Sequence, residues 1–293
     1  MTNSTPMLTV IIPCYNEKDA VADTVHAVLA ILEKTVDSEL IVIDDGSDDG
    51  SQDILQALVK ELPRLKVLCH EENRGYGASL KTGIRRAQGE LIAITDADGT
   101  YPNERIPDLV EMMVDTDMVV GSRTGEQVEY SAIRKIPKFF LRRYCQWITG
   151  RNIPDMNSGL RIFRKPIAER FLHVFPNSFS FTTTITMAML CNDYMVRFEP
   201  INYSERIGNS KIKPVRDTFR FIQLILRTGM YFAPLRAFAP VIGLLSLIFF
   251  GSAAYDIITE QNLTDKTLIF LMISTNAGLF ALIADVIDKR AAR

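Results

Sequence analysis

Short apolar runs alternate with helical apolar spacing over the first two-thirds of the chain, and two long uncharged runs close it. Leu8–Pro13 is apolar and β-rich and ends at a proline, which predicts a strand buried on both faces. Val21, Val25, Val28, Leu29 and Leu32 then recur at helical spacing within Lys18–Thr35. The pattern repeats: strand Leu40–Ile43, helix Ser51–Leu62, strand Lys66–Cys69, then a turn at Asn73–Gly77 into a helix reaching Ala87. Strand Leu91–Thr95, helix Pro107–Val114 and strand Met118–Val120 follow. Such alternation predicts an α/β domain with a mainly parallel sheet and right-handed crossovers. Ligands of such sheets bind beyond the carboxyl ends of the strands. Four polar or glycine-bearing segments fall there: Pro13–Glu17, Asp44–Ser47, Asp96–Asp98 and Gly121–Arg123.

Ala237–Tyr255 and Thr267–Ala284 carry no charged residue, and each is about long enough to cross a bilayer. Two buried core helices would give the same runs, but adjacency and charged flanks favour membrane spans. Arg216, Arg220, Arg227 and Arg236 precede the first run, and Lys289, Arg290 and Arg293 follow the second. The linker holds Asp256, Glu260 and Asp265 against Lys266 alone. The bias of Lys and Arg towards the cytosol then places both outer flanks, and the N-terminal domain, inside. The expected division is a domain over 1–212, a juxtamembrane interfacial helix over 213–236 and a two-helix membrane region over 237–293. Ser131–Arg151 adds six basic residues, no acid, and apolar or aromatic residues at helical spacing. It reads as an amphipathic helix lying in a membrane interface, or as an ordinary surface helix.

Charge changes the picture by exclusion. A formal net charge of −2 argues against a nucleic-acid partner. No secretory signal is expected at the start. Cys14, Cys69, Cys145 and Cys191 are scattered, as idle thiols in a reducing compartment would be, and the three histidines lack metal-ligand spacing.

Asp96-Ala97-Asp98 after an apolar strand carries the sharpest chemistry. Paired carboxylates at a strand end can face a divalent cation and a ribose together, and Mg²⁺ or Mn²⁺ often binds through a carboxylate plus substrate phosphates. Solvated turn aspartates are the plain alternative. Asp44-Asp45-Gly46-Ser47 suits a turn and helix cap equally well. Pro13-Cys14-Tyr15-Asn16-Glu17 offers an aromatic and a carboxylate for a base and ribose, or simply a strand break.

Taken together with Asn73-Arg74-Gly75, these segments stand in the order and spacing of family 2 glycosyltransferases of GT-A fold, which the chain resembles. Asp155-Met156-Asn157-Ser158-Gly159-Leu160-Arg161 and Arg206-Ile207-Gly208-Asn209-Ser210-Lys211 resemble the branch of dolichyl-phosphate mannose synthases and polyprenyl-phosphate glucosyltransferases. The resemblance implies a Rossmann-like cytosolic domain and inverting transfer from a nucleotide-sugar, of UDP-glucose or GDP-mannose type, to a polyprenyl or dolichyl phosphate. It implies that Pro13, Tyr15, Asn16, Glu17, Ile43, Asp44, Asp45, Asp96, Ala97 and Asp98 bind the nucleotide-sugar. Asp98 would hold Mg²⁺ or Mn²⁺. Arg123 would be catalytic beside Asp98 and, with Arg134, Arg161, Arg206 and Lys211, would bind phosphate groups. Mannose synthases commonly place a glutamine metal ligand where this chain has Thr100. The expected partners are donor, lipid phosphate and membrane lipid; homo-oligomer formation stays open. A phosphate acceptor fits the arginines, because a largely dianionic monoester needs charge compensation rather than a base. Three rivals remain. A processive polysaccharide synthase lacks support, since the QxxRW motif is missing. The others are a transferase using another acceptor and a non-catalytic nucleotide-sugar binder.

Overall fold

The computed structural model describes residues 8–33, 38–124, 135–204, 223 and 226–291. Its strands are β1 (Leu8–Cys14), β2 (Ser38–Asp44), β3 (Leu65–Cys69), β4 (Leu91–Ile94), β5 (Met118–Ser122), β6 (Arg161–Arg164) and β7 (Val196–Pro200). They form one mixed sheet in the order β3-β2-β1-β4-β6-β5-β7. The β3, β2, β1 and β4 strands run parallel, as the alternation predicts, and β5 pairs with β7 in parallel. Only β6 is antiparallel to both neighbours. It was not expected: four residues with arginine at both ends carry no apolar run.

The first helices are α1 (Val21–Leu32), α2 (Ser51–Glu61), α3 (Tyr76–Arg86) and α4 (Ile106–Glu111). Alternation along β1 sends side chains to opposite faces. Val10, Ile12 and Cys14 join Val21, Val25, Val28 and Leu32 of α1 and Leu55 of α2 in one buried cluster. Ile11 points the other way, where Gly83 of α3 packs against it and Ile43. Both faces are therefore covered, and each fully buried Val or Ile contributes about 1.5–3 kcal/mol. This layering leaves the carboxyl ends of β1, β2, β4 and β5 as the place for a site. Further helices are α5 (Lys135–Thr149), α6 (Lys165–Phe171) and α7 (Phe181–Cys191). Of the basic stretch, Arg142, Arg143 and Trp147 are exposed while Cys145 and Ile148 are buried, an amphipathic pattern.

The chain divides into two units, the second made of residues 139–151 and 218–293. Within it, Pro234–Thr259 and Asp265–Ala291 are helices of 26 and 27 residues. Both outrun their uncharged stretches and are long and apolar enough to span a bilayer. Leu247 and Ile258, at 72% and 80% exposure, show that the apolar faces are not core surfaces. Polar side chains clip the pair together: Ser246 meets Ser274 at 2.9 Å, and Ser252 meets Thr267. The Asp256 carboxylate accepts the Thr264 amide at 2.8 Å and the Thr267 hydroxyl at 2.7 Å, capping the second helix from the first. The Trp147 indole donates to the Arg236 carbonyl at 3.2 Å, and the Arg236 guanidinium donates to the Ile148 carbonyl at 2.8 Å.

Candidate active site

Beyond β1 the chain must turn sharply, and Asn16 adopts φ 54° to do so. The loop is stapled to the one after β2. Asn16 donates through Nδ2 to Asp48 at 2.6 Å and accepts the Asp48 amide at 2.9 Å. The Asn16 amide donates to Ser47 and the Glu17 amide to Ser51. This fixes Pro13, Tyr15 and Glu17 along a cleft that Asp45, Asn73, Gly75, Tyr76, Ser79, Asp96, Ala97, Asp98 and Phe179 complete.

Several expected ligands lie elsewhere. Asn16 serves the staple rather than the cleft wall. Ile43 is fully buried inside β2. Asp44 is fully buried too; one oxygen accepts the Ser47 amide at 3.3 Å, and the other has no partner among the described residues. Its charge, after burial itself, helps push the neighbouring Cys14 thiol up to about 12, so that thiol stays protonated and inert. All four cysteines are free. Asp45 does line the cleft, and it also pins the loop after β3. It accepts the Arg74 and Gly75 amides at 3.0 and 2.8 Å and meets His70 Nδ1 at 2.6 Å.

Asp96 and Asp98 behave differently although both line the cleft. The Tyr76 hydroxyl donates to Asp96 at 3.0 Å. Burial, then the Asp96 charge, raise the Tyr76 phenol well above its ordinary value, so it stays a donor. Asp98 is 6% exposed, and one oxygen accepts the Thr100 hydroxyl at 2.7 Å. Thr100, where a glutamine ligand was considered, thus orients Asp98 through its hydroxyl. Among the described residues, no cluster of three or more His, Cys, Asp or Glu side chains surrounds this point. A carboxylate pair with so few protein donors suits a hard cation that takes its other ligands from substrate phosphates and water.

Gly159 packs against Asp96 so closely that a Cβ there would lie 2.8 and 2.9 Å from the two carboxylate oxygens. Gly159→Ala is therefore expected to displace Asp96 from Tyr76, lowering turnover about tenfold and costing about 1–3 kcal/mol of stability. Steady-state kinetics beside thermal melts check this; unchanged turnover would show that the position of Asp96 is unimportant.

Arg123 extends from the end of β5 and forms a two-pronged pair with Asp155, Nε to Oδ2 at 2.8 Å and Nη2 to Oδ1 at 3.0 Å. Its own amide donates to the same carboxylate, and its guanidinium lies 5.3 Å from the Tyr203 ring centre. Burial alone would raise the Asp155 carboxyl, but the hydrogen bonds and charge of Arg123 hold it below the usual aspartate range. Tyr101 links the two halves of the site. It accepts the Gly159 amide at 2.6 Å, and both Asp96 and Arg123 act on it electrostatically.

Arg161 corrects the expectation of a phosphate ligand. It is fully buried, donating to the carbonyls of Ser158, Thr182 and Met156 and to the Thr186 hydroxyl. Burial lowers it to about 10, which still leaves it charged at neutral pH. Its guanidinium joins the 156–158 segment to α7, so it holds the site's frame. Arg134, Arg206 and Lys211 lie outside the described residues.

Residues 9–172 match the Glycosyl transferase family 2 profile. An undecaprenyl-phosphate 4-deoxy-4-formamido-L-arabinose transferase from Pseudomonas syringae pv. syringae is 30% identical over 94% of this chain and 79% of its own length. The chain belongs to glycosyl transferase family 2. This glycosyltransferase is also 26% identical, over 83% of its length, to a low-salt glycan biosynthesis hexosyltransferase from Haloferax volcanii, of which it spans 59%. Its fold is GT-A-like. A glucosyl-3-phosphoglycerate synthase from Mycobacterium tuberculosis, solved with Mn²⁺, UDP and phosphoglyceric acid, matches with TM-score 0.60 at 14% identity over 76% of this chain and 78% of that one.

Sequence reasoning did not select Tyr76, Ser79, Thr100, Asp155 or Phe179 of this glycosyltransferase as site residues. Tyr76 and Asp155 sit within or beside motifs that stood out, so their place was available. Phe179 stands in Pro176-Asn177-Ser178-Phe179 with no periodic or motif signal.

Proposed function

We propose that this glycosyltransferase transfers a sugar from a nucleotide-sugar to a polyprenyl phosphate, with inversion, at the cytosolic membrane face. One observation carries the reading: the chain pairs a cleft bearing Asp96 and Asp98 with two bilayer-length apolar helices. The Pseudomonas syringae relative, matched over nearly the whole chain, is named for undecaprenyl phosphate. Polyprenyl or dolichyl phosphate and a UDP- or GDP-linked sugar fit the same chemistry.

Pro13, Tyr15, Glu17 and Asp45 hold the nucleoside end of the donor. Asp98, with Asp96 beside it, would hold Mg²⁺ or Mn²⁺, which neutralises the donor diphosphate when bound. A phosphate monoester is already largely dianionic near neutral pH, so this chain need not deprotonate its acceptor. The obstacle is the approach of two anions. Arg123 meets it by orienting the acceptor phosphate, with Arg134, Arg206 and Lys211 as further cations. Positioning and electrostatic stabilisation then supply most of the rate. A panel of nucleotide-sugars with Mn²⁺, polyprenyl phosphate and the full chain in detergent tests this. One donor should give a lipid-linked sugar, and a panel in which sugar appears only on soluble acceptors contradicts it.

Flank charge supports both ends of the helix pair facing the cytosol. In a variant lacking native cysteines, a single cysteine replacing Asn262 should react with an impermeant reagent in intact cells. Labelling only after permeabilisation would reverse the orientation.

A further inference from the structure

We infer that Phe179, stacked on Tyr76, is the platform for the sugar ring of the donor; this rests on the nucleotide-sugar reading above. The two rings lie 5.3 Å apart at 18°, and both line the cleft. Phe179 is nonetheless 59% exposed. One face of the ring packs on Tyr76, and the ring otherwise stands open at the cleft, free to receive a ligand face. Pyranose and furanose rings present C–H faces that lie well on aromatic rings, and ligand pockets commonly pair such apolar walls with a few polar groups.

The placement of Phe179 points to the sugar rather than the nucleoside. Donor parts run in a fixed order: nucleoside, diphosphate, sugar. Tyr15 and Glu17 lie on the loop stapled to residues 47–51. Phe179 belongs instead to the segment leading into α7, whose first turns are tied to the 156–161 segment. Thr183 donates to Asn157 at 2.7 Å, and the Thr182 carbonyl accepts from Arg161 at 2.9 Å. That segment also presses Gly159 against Asp96. These ties join the Phe179 segment to the one carrying Asp155, the partner of Arg123. With the diphosphate at Asp96 and Asp98, the sugar must lie between it and the acceptor phosphate that Arg123 orients.

The platform is also built to stay put. The Ala78 amide donates to the Asn177 carbonyl at 3.2 Å. A Cβ on Gly77 would run into the carbonyls of Pro176 and Ser178, so only glycine lets the two loops meet. The Tyr76 hydroxyl, bonded to Asp96, fixes the lower ring of the stack relative to the carboxylates.

The test uses the full chain in detergent with Mn²⁺. Affinity is measured for whichever of UDP and GDP the wild type binds, and kinetics for the nucleotide-sugar it turns over. For Phe179→Ala and Phe179→Leu, nucleoside diphosphate affinity should stay within about twofold while KM for the nucleotide-sugar rises about tenfold, or about 1.4 kcal/mol. Phe179→Trp should restore KM to within about threefold. Equal losses in both affinities would place the nucleoside on this ring and overturn the inference, as would an unchanged KM in folded Ala and Leu variants. A wild type that binds neither diphosphate overturns the underlying functional reading instead.

Discussion

Asp98→Ala is expected to abolish sugar transfer, by on the order of 10³-fold or more, in a protein that melts within a few degrees of wild type. Asp98 sits in the turn after β4, on the wall of the cleft. It accepts the amide and the hydroxyl of Thr100, two residues on, so these bonds stay within one turn. Its loss would instead remove the carboxylate proposed to hold the cation against the donor diphosphate. Such charge stabilisation is worth several kcal/mol, and about 1.4 kcal/mol corresponds to each tenfold in rate. The variant should also lose the Mn²⁺-dependent rise in melting temperature with a nucleoside diphosphate, a readout independent of turnover. Retained activity in the presence of chelator would remove Asp98 from this role.

Arg123→Lys is expected to lower turnover about 10²-fold while nucleoside diphosphate affinity stays nearly unchanged. Lysine keeps the charge but cannot make a two-pronged pair. The pair with Asp155 adds a structural effect, so melting temperature should fall by a few degrees as well. Asp155 has a folded-state value below the ordinary 3.8. The stability it contributes is therefore fully present above that pH and lost as pH falls through the lower folded-state value. In the Lys variant this acid-dependent loss should shrink. A Lys variant with normal turnover and only a lower melting temperature would make Arg123 a purely structural arginine.

The left half of the sheet was legible because buried parallel strands read as continuous apolar runs, and β1, β2 and β4 are such runs. Their ends were legible because turn chemistry marks them. What the sequence could not separate were residues of one type doing different jobs in one loop. Asp44 and Asp45 are adjacent, yet one turns inward beside Cys14 and the other lines the cleft. Asn16 looks like a ligand and is a staple. Arg161 looks like a phosphate anchor, but β6 buries it, and its donors go to carbonyls that only the tertiary fold brings together. Two strands were missed, β6 and β7, and neither carries an apolar run. The missed β6 and the misread arginine are one error, since a charged residue closing a four-residue strand hides both. Phe179 was hidden for another reason, since its meaning comes from Tyr76, about a hundred positions earlier.

The most direct measurement compares acceptors that differ only at the head group. Purified full-length protein receives Mn²⁺, its active nucleotide-sugar, and either polyprenyl phosphate or the matching polyprenyl alcohol, and labelled sugar is counted in the extracted lipid. The expected result is incorporation with the phosphate at least 10²-fold above the alcohol, abolished by chelator. Equal incorporation into the alcohol, or none into either lipid beside rapid transfer to a soluble acceptor, would contradict a glycosyltransferase built to bring two anions together.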